Sequence, residues 1–157
     1  MTDTPIPTYP NAGVFRRFAA MTYDTLLLMA ISIGYYGLAV LINVLIQGAP
    51  IEGQKIHWGH WNLLVFSGWI LLLGYFFCFF WRRSGQTLGM RAWRMRVVNQ
   101  DLRLASTSQC IVRCLLAPLS LGLLGFGYFW RWLDPHQLTL HDRLSKTRVI
   151  VLPKDQN

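Results

Sequence analysis

Leu26 to Ile46 reads LLLMAISIGYYGLAVLINVLI and lies within 27 consecutive residues, Thr25 to Ile51, that contain no Asp, Glu, Lys or Arg. A helix rising about 1.5 Å per residue crosses a hydrocarbon layer of roughly 30 Å in about 20 residues, and a backbone in lipid must satisfy its own hydrogen bonds. The stretch therefore predicts a membrane-spanning helix, placed at about 14–46 once its approach from Val14 is included. A second uncharged run, Ile56 to Trp81, contains NLLVFSGWILLLGYFFCFFW and predicts another at about 61–81. A secretory signal fits neither the length of the first run nor its ending, since its apolar region is about 7–15 residues before a small-residue cleavage site. Trp58, Trp61 and Trp81, near segment ends, suit an interfacial aromatic belt.

The composition agrees with lipid as the solvent. Of 157 residues, 53% are apolar and only 14% charged, against about 25% charged in a soluble domain. Such a chain has too much apolar surface for a water-soluble globule and for intrinsic disorder. The formal net charge of +8 comes with no nucleic-acid recognition motif, so it reads first as topology and as contact with anionic lipid headgroups.

A third run, Cys114 to Trp130, is CLLAPLSLGLLGFGYFW, 17 residues with Pro118 and glycines at 122, 125 and 127. It makes a poor straight helix, so the element at about 114–131 is read as a short span or a bent, re-entrant pair. Charge chooses between them. Two basic residues, Arg16 and Arg17, lie at the mouth of the first helix before its uncharged run, Lys55 lies in the first loop, seven fall between Arg82 and Arg113, and five follow from Arg131. Three full crossings leave six basic residues outside, whereas two crossings plus a re-entrant piece leave one. The preference of Lys and Arg for the cytoplasm favours the second. RMRVVN at 94–99 and TRVIVL at 147–152 read as short strands able to pair. Pairing requires them to lie on one side of the membrane. The expected fold is thus an all-α integral membrane protein of the inner (cytoplasmic) membrane, multi-pass, with its N-terminus cytoplasmic. It has two transmembrane helices, a short third spanning or re-entrant helical element, and a small cytoplasmic β pairing. Residues 1–12, with three prolines, read as a flexible tail before a membrane domain at 13–151, with a basic cytoplasmic segment at 82–113 and a cytoplasmic C-terminal segment at 132–157.

Three blocks carry a resemblance. Arg17-Phe-Ala-Ala-Met-Thr-Tyr-Asp24, then Gly85-Gln-Thr-Leu-Gly-Met-Arg91 followed by Arg96-Val-Val, then His141-Asp-Arg-Leu-Ser-Lys-Thr-Arg-Val149 resemble, in order and spacing, the RDD family of small membrane proteins. The resemblance runs from about Gly13 to Val151. Met90 departs from it where a basic residue is common. The family is named for one arginine and two aspartates, and the matching positions are Arg17, Asp24 and Asp142. The resemblance implies a membrane location and a possible part in transport, with cation or proton exchange proposed for some members.

Asp24 is the sharpest chemical signal. If the helix enters lipid near Phe18, its carboxylate lies roughly 9 Å inside, where an unpaired charge costs about 2.5–3.5 kcal/mol on insertion scales. It is read either as a proton or cation site, together with Asp142 and His141, or as a structural ion pair or cap. Arg17 and Asp24 are two helical turns apart, about 10 Å along the axis, so each needs a partner elsewhere. The candidates are Asp142 for Arg17, and Arg113, Arg143 or Lys146 for Asp24. His57 and His60 make a weak metal pair in the first loop, and three cysteines argue against a disulfide framework. No metal site and no cofactor is expected. No nucleophile elbow, zinc-protease helix, phosphate-binding loop or paired intramembrane carboxylates occurs, so the chain does not read as an enzyme. A substrate passage needs more than three membrane segments enclose, which implies a homo-oligomer or another membrane protein as partner.

Overall fold

An uncharged apolar run has no better state in lipid than helix, and a computed structural model, which describes residues 9–50, 56, 58–123 and 125–154, shows the two long helices. They are α1 (Val14–Gln47) and α2 (Trp61–Arg83), both long and apolar enough to cross a membrane. Glu52, Lys55 and His57 of the connecting loop lie outside the described residues. A short α3 (Leu88–Ala92), β1 (Met95–Asn99), α4 (Thr107–Gly122), α5 (Phe126–Phe129), a 3-10 turn at Trp130–Trp132, α6 (Leu140–Leu144) and β2 (Thr147–Val151) follow. The chain divides into two units, Thr25–Phe76 and the residues on either side of it, Met1–Asp24 with Phe77–Asn157.

In Thr25–Phe76 the packing is what two helices in lipid require. Apolar contact alone gives little preference for helix–helix over helix–lipid association, so close approach and interhelical hydrogen bonds decide. Tyr35 donates its hydroxyl to the Val65 carbonyl at 2.8 Å, and Trp69 Nε1 donates to Ser32 Oγ at 2.9 Å. Gly68 lets the tyrosine in: a Cβ there would stand 2.5 Å from its hydroxyl oxygen. Ile33, Leu45, Leu63 and Leu71 are about three-quarters exposed. Water would penalise each by roughly 1.5–3 kcal/mol relative to burial, and acyl chains would not.

The other unit is built on the sheet. β1 and β2 pair antiparallel, Met95 opposite Val151 through Asn99 opposite Thr147. Two strands alone are marginal in water, and here both faces are covered. Met95, Val97 and Val149 pack with Ala12, Ala20, Trp81, Met90 and Cys110, while Val98, Ile150 and Leu152 pack beneath Tyr9 and Leu102. The edges are closed as well. Ala12 donates to Val149 O at 2.7 Å and Val151 to Pro10 O at 2.9 Å, and on the far edge Val97 donates to Gly85 O at 2.7 Å. Residues 9–12 are therefore part of the fold, which corrects their reading as flexible tail; covering an otherwise bare strand edge holds them.

The third membrane element starts seven residues earlier than its uncharged run. Ser106 and Gln109 form a capping box that opens α4 at Thr107, so Arg113 lies inside the helix. The pieces Thr107–Gly122 and Phe126–Trp132 meet at 105°. Gly125, at φ +76°, makes the turn, and Gly127 lies so close to Ser120 that a side chain would not fit. Gly122, in contrast, faces open space.

Gly85 holds the turn from α2 into α3. Its φ is +74°, and a Cβ would lie 2.7 Å from Arg96 Cγ and 2.8 Å from Val97 O. Gly85→Ala is expected to cost about 1–3 kcal/mol, read as a lower unfolding temperature in detergent. Gly122→Ala, with nothing near its Cβ, is expected to leave that temperature unchanged or slightly raised.

Candidate functional site: a buried charge cluster and its cavity

α1 enters this unit with Arg17, Ala20 and Asp24 on one buried face, three and seven residues apart. Asp142, on α6, is the centre of the cluster and wholly buried. Arg17 Nη2 stands 2.6 Å from its Oδ2 and Arg113 Nη1, from α4, 2.5 Å from its Oδ1. Both guanidiniums make further hydrogen bonds, although Arg113 Nε has none. Arg17 Nε donates to Ala12 O at 3.1 Å and its Nη1 to Thr139 Oγ1 at 3.4 Å, and Arg113 Nη1 also donates to Thr147 Oγ1 at 2.8 Å. The Arg113 guanidinium lies over the Trp81 ring, 5.2 Å from its centroid. Burial alone would raise the Asp142 carboxyl, but Arg17 and then Arg113 hold it far below the usual carboxylate range.

Asp24 finds a different kind of partner. Thr87 donates its hydroxyl to Oδ2 at 2.5 Å, and Gly89 donates its backbone N–H to Oδ1 at 2.9 Å. Thr87 is the N-cap of α3 and accepts from Met90 N at 3.2 Å, so the carboxylate takes up helix-start donors that would otherwise need water. Gly89 is required, since a Cβ would run into the Ala20 carbonyl and approach Asp24 Cγ to 2.9 Å. The basic partners expected for Asp24 are placed elsewhere. Arg113 is on Asp142, Arg143 pairs with Asp134 at 2.8 Å, and Lys146 is exposed. The physical reason is that orphan N–H groups at a helix start satisfy a buried carboxylate without burying a second charge.

The motif Gly85-Gln86-Thr87-Leu88-Gly89 is thus accounted for almost residue by residue. Gly85 turns, Gln86 donates to Met95 O at 2.9 Å, and Thr87 and Gly89 grip Asp24. Sequence reasoning missed Thr87 and Gly89 as partners, although a threonine before a short helix is a recognisable cap signal.

His141 is buried against the Tyr128 ring, with centroids 4.7 Å apart. Burial first, then the Arg113 guanidinium, push its imidazole down to about 3. The ring is neutral at physiological pH, so its 3.9 Å approach to Asp142 is not an ion pair. A cavity of about 230 Å³ adjoins the cluster, lined by Arg17, Asp24, Trp81, Thr87, Arg113 and His141 together with apolar side chains including Met21, Ala117 and Leu121. Asp24 and His141 therefore face one space, and Asp142 is not among its lining residues. Among the described residues no cluster of His, Cys, Asp and Glu could hold a metal ion. Cys78 and Cys114 sit with sulfurs 3.6 Å apart, in thiol hydrogen-bond contact and without a disulfide.

The RDD family model matches residues 11–146. The chain belongs to the RDD family. No curated protein and no solved structure matches it. The match begins at Asn11 and so includes Asn11 and Ala12, two of the residues that pair along β2, and it takes in Arg17, Asp24 and Asp142. With two helices of spanning length, this RDD protein is a membrane protein.

Two outcomes follow for the RDD charges. Asp142→Ala leaves two buried guanidiniums facing each other and is expected to cost about 3–5 kcal/mol, read as loss of folded protein from the membrane fraction. The second concerns pH. The unfolded chain takes up the His141 proton near 6.5 and the folded chain only near 3, so stability falls as pH drops below 6.5. The loss at pH 5 is on the order of 2 kcal/mol, and Asp142 adds to it below about pH 4 as the unfolded carboxylate protonates. Unfolding temperature in detergent is expected to decline from pH 7.5 to 4.5, and His141→Gln to flatten that slope.

Proposed function

We propose that this RDD-family protein is a non-transporting adaptor or assembly factor of the cytoplasmic membrane, without enzymatic activity of its own, whose signature charges fasten its fold. The observation that carries this reading is that all four carboxylate oxygens of Asp24 and Asp142 are already engaged within 2.9 Å, those of Asp24 by hydrogen bonds from Thr87 and Gly89 and those of Asp142 by ion-pair contacts to Arg17 and Arg113. An ion passing through either site would have to displace the contacts that join α1 to α3, or α1 and α4 to α6. The distribution of Lys and Arg supports a cytoplasmic N-terminus. The pairing of β1 with β2 supports a re-entrant course for the bent element between them, because the strands that flank it share one sheet. The lipid bilayer, with anionic headgroups at the basic segment, and a second copy or another membrane protein are the partners this reading calls for. Exposed apolar positions on α4, Ile111, Leu115 and Leu119, offer a surface for them.

One observation favours cation or proton exchange as a second reading: Asp24 and His141 line the same cavity. Purified protein reconstituted in vesicles separates the two. The adaptor reading expects imposed sodium, potassium and pH gradients to decay no faster than in protein-free vesicles. It also expects Asp24→Ala, which strands the Thr87 and Gly89 donors at about 1–3 kcal/mol each, to lower abundance in the membrane, with Asp24→Asn falling less. Gradient decay that Asp24→Asn abolishes at undiminished abundance would overturn it in favour of exchange.

A further inference from the structure

A separate cavity, of about 190 Å³, has Asp134, Asp142, Arg143, Lys146 and Arg148 in its wall. Both of its acids are already engaged. Asp134 Oδ1 accepts from Arg143 at 2.8 Å, and its Oδ2 from the backbone N–H of His136 at 3.1 Å and of Leu138 at 3.0 Å. Asp142 meets Arg17 and Arg113, neither of which lines this cavity. Lys146 and Arg148 have no ion pair among the described residues. Lys146 is exposed, Arg148 is half-buried, and the Arg143 side chain keeps 59% of its surface exposed while it pairs with Asp134. The fold fixes where these cations stand. Lys146, left-handed at φ +52°, turns the chain out of α6, and Arg148 follows as the second residue of β2. The wall therefore carries two cations that no acid offsets.

Surplus positive charge calls for an anion, and the neighbouring side chains indicate what the anion is attached to. Leu133 directly precedes Asp134 and Leu144 directly follows Arg143, each one Cα–Cα step of about 3.8 Å from a lining residue. Trp132, Leu133 and Leu144 are 75%, 71% and 56% exposed. Exposed apolar groups alternating with basic ones suit the boundary between headgroups and acyl chains, where tryptophan is also enriched. A free anion gains nothing from these three side chains, whereas a phospholipid covers them. Its phosphodiester offers an unesterified oxygen to each unpaired cation, and the guanidinium fork matches phosphate geometry. We infer that this cavity is a headgroup site for an anionic phospholipid, whose phosphate oxygens accept from Lys146 and Arg148, with Arg143 beside them, and whose acyl chains lie along Trp132, Leu133 and Leu144. The site lies outside the basic segment at 82–113, and it rests on the membrane location rather than on the adaptor reading.

The test uses the full chain, freed of lipid in a non-ionic detergent and titrated calorimetrically with short-chain phosphatidylglycerol, phosphatidylcholine of the same chain length, and inorganic phosphate. Saturable binding of phosphatidylglycerol at one per chain is expected. Phosphatidylcholine, whose ammonium group meets Lys146 and Arg148, and inorganic phosphate, which leaves the apolar side chains bare, should each bind at least about tenfold more weakly. A lysine or arginine contributes about fivefold at an anionic headgroup, so Lys146→Gln should weaken phosphatidylglycerol by about fivefold and Lys146→Gln with Arg148→Gln by about thirtyfold. The exposed Lys146 can be replaced alone should the double variant not fold. Arg103→Gln with Lys154→Gln removes the same charge from exposed positions that do not line the cavity, and should leave the affinity unchanged. No saturable binding, equal loss in that control pair, or an unaltered affinity in Lys146→Gln would each overturn the proposal. Phosphatidylcholine binding as tightly as phosphatidylglycerol would overturn the anionic headgroup, and inorganic phosphate doing so would overturn the lipid as source.

Discussion

Asp142 between Arg17 and Arg113 is the contact on which this half of the chain depends. It ties the start of α1, the middle of α4 and α6 to one carboxylate, and each of these segments meets the sheet or its flanks. A buried ion cluster is weak evidence of added stability, because desolvation offsets most of the attraction. Its effect is on which arrangement is allowed. With one carboxylate and two guanidiniums, any register of α4 that moves Arg113 away from α6 leaves a charge stranded among Trp81, Tyr128 and Cys114. The cluster therefore selects one packing of three segments whose apolar surfaces alone would slide.

Asp24 works by the same logic with cheaper parts. A carboxylate on α1 needs donors, and the start of a five-residue helix has them in excess. Gly89 brings the α3 backbone against α1, and Thr87 serves as cap and donor at once. This explains why a threonine and a glycine spaced two apart belong with an aspartate more than sixty residues earlier. The two aspartates of the RDD signature have distinct partners, one cationic and one neutral, and only Asp24 lines the cavity.

What was legible in the sequence follows from how each feature is encoded. α1 and α2 are written as composition over twenty residues, which no tertiary context needs to complete. The strands at 95–99 and 147–151 were legible as β-branched runs, although Val97 and Val98 are both buried, because helices cover one face and Tyr9 and Leu102 the other. The start of α4 was lost because an uncharged window stops at Arg113, and a charge neutralised by a residue twenty-nine positions later looks, locally, like the end of a span. The Ser106–Gln109 capping box carried the correct signal. Residues 9–12 were lost for a related reason: a strand edge recruits them through their backbone, and backbone pairing leaves no mark in side-chain pattern. Arg17 with Asp142 was foreseeable from the scarcity of buried acids. The partner of Asp24 was not, since a backbone N–H is invisible in a search for opposite charges.

The bent third element shows how these constraints combine. Its helices are too short and too sharply broken to behave as one straight span, yet its outward side chains, Leu115, Leu119 and Phe126, are as apolar as those of α1. Its inward face is the polar one, with Arg113 and Ser120 buried. Such an inverted pattern is stable only where lipid meets the outside and other protein groups satisfy the inside. Arg113 is satisfied by Asp142, which follows the bend in sequence, so the helix before the turn is held by the segment after it. Returning the chain to β2 is therefore part of what makes the buried arginine tolerable, and the sheet and the charge cluster stabilise one another.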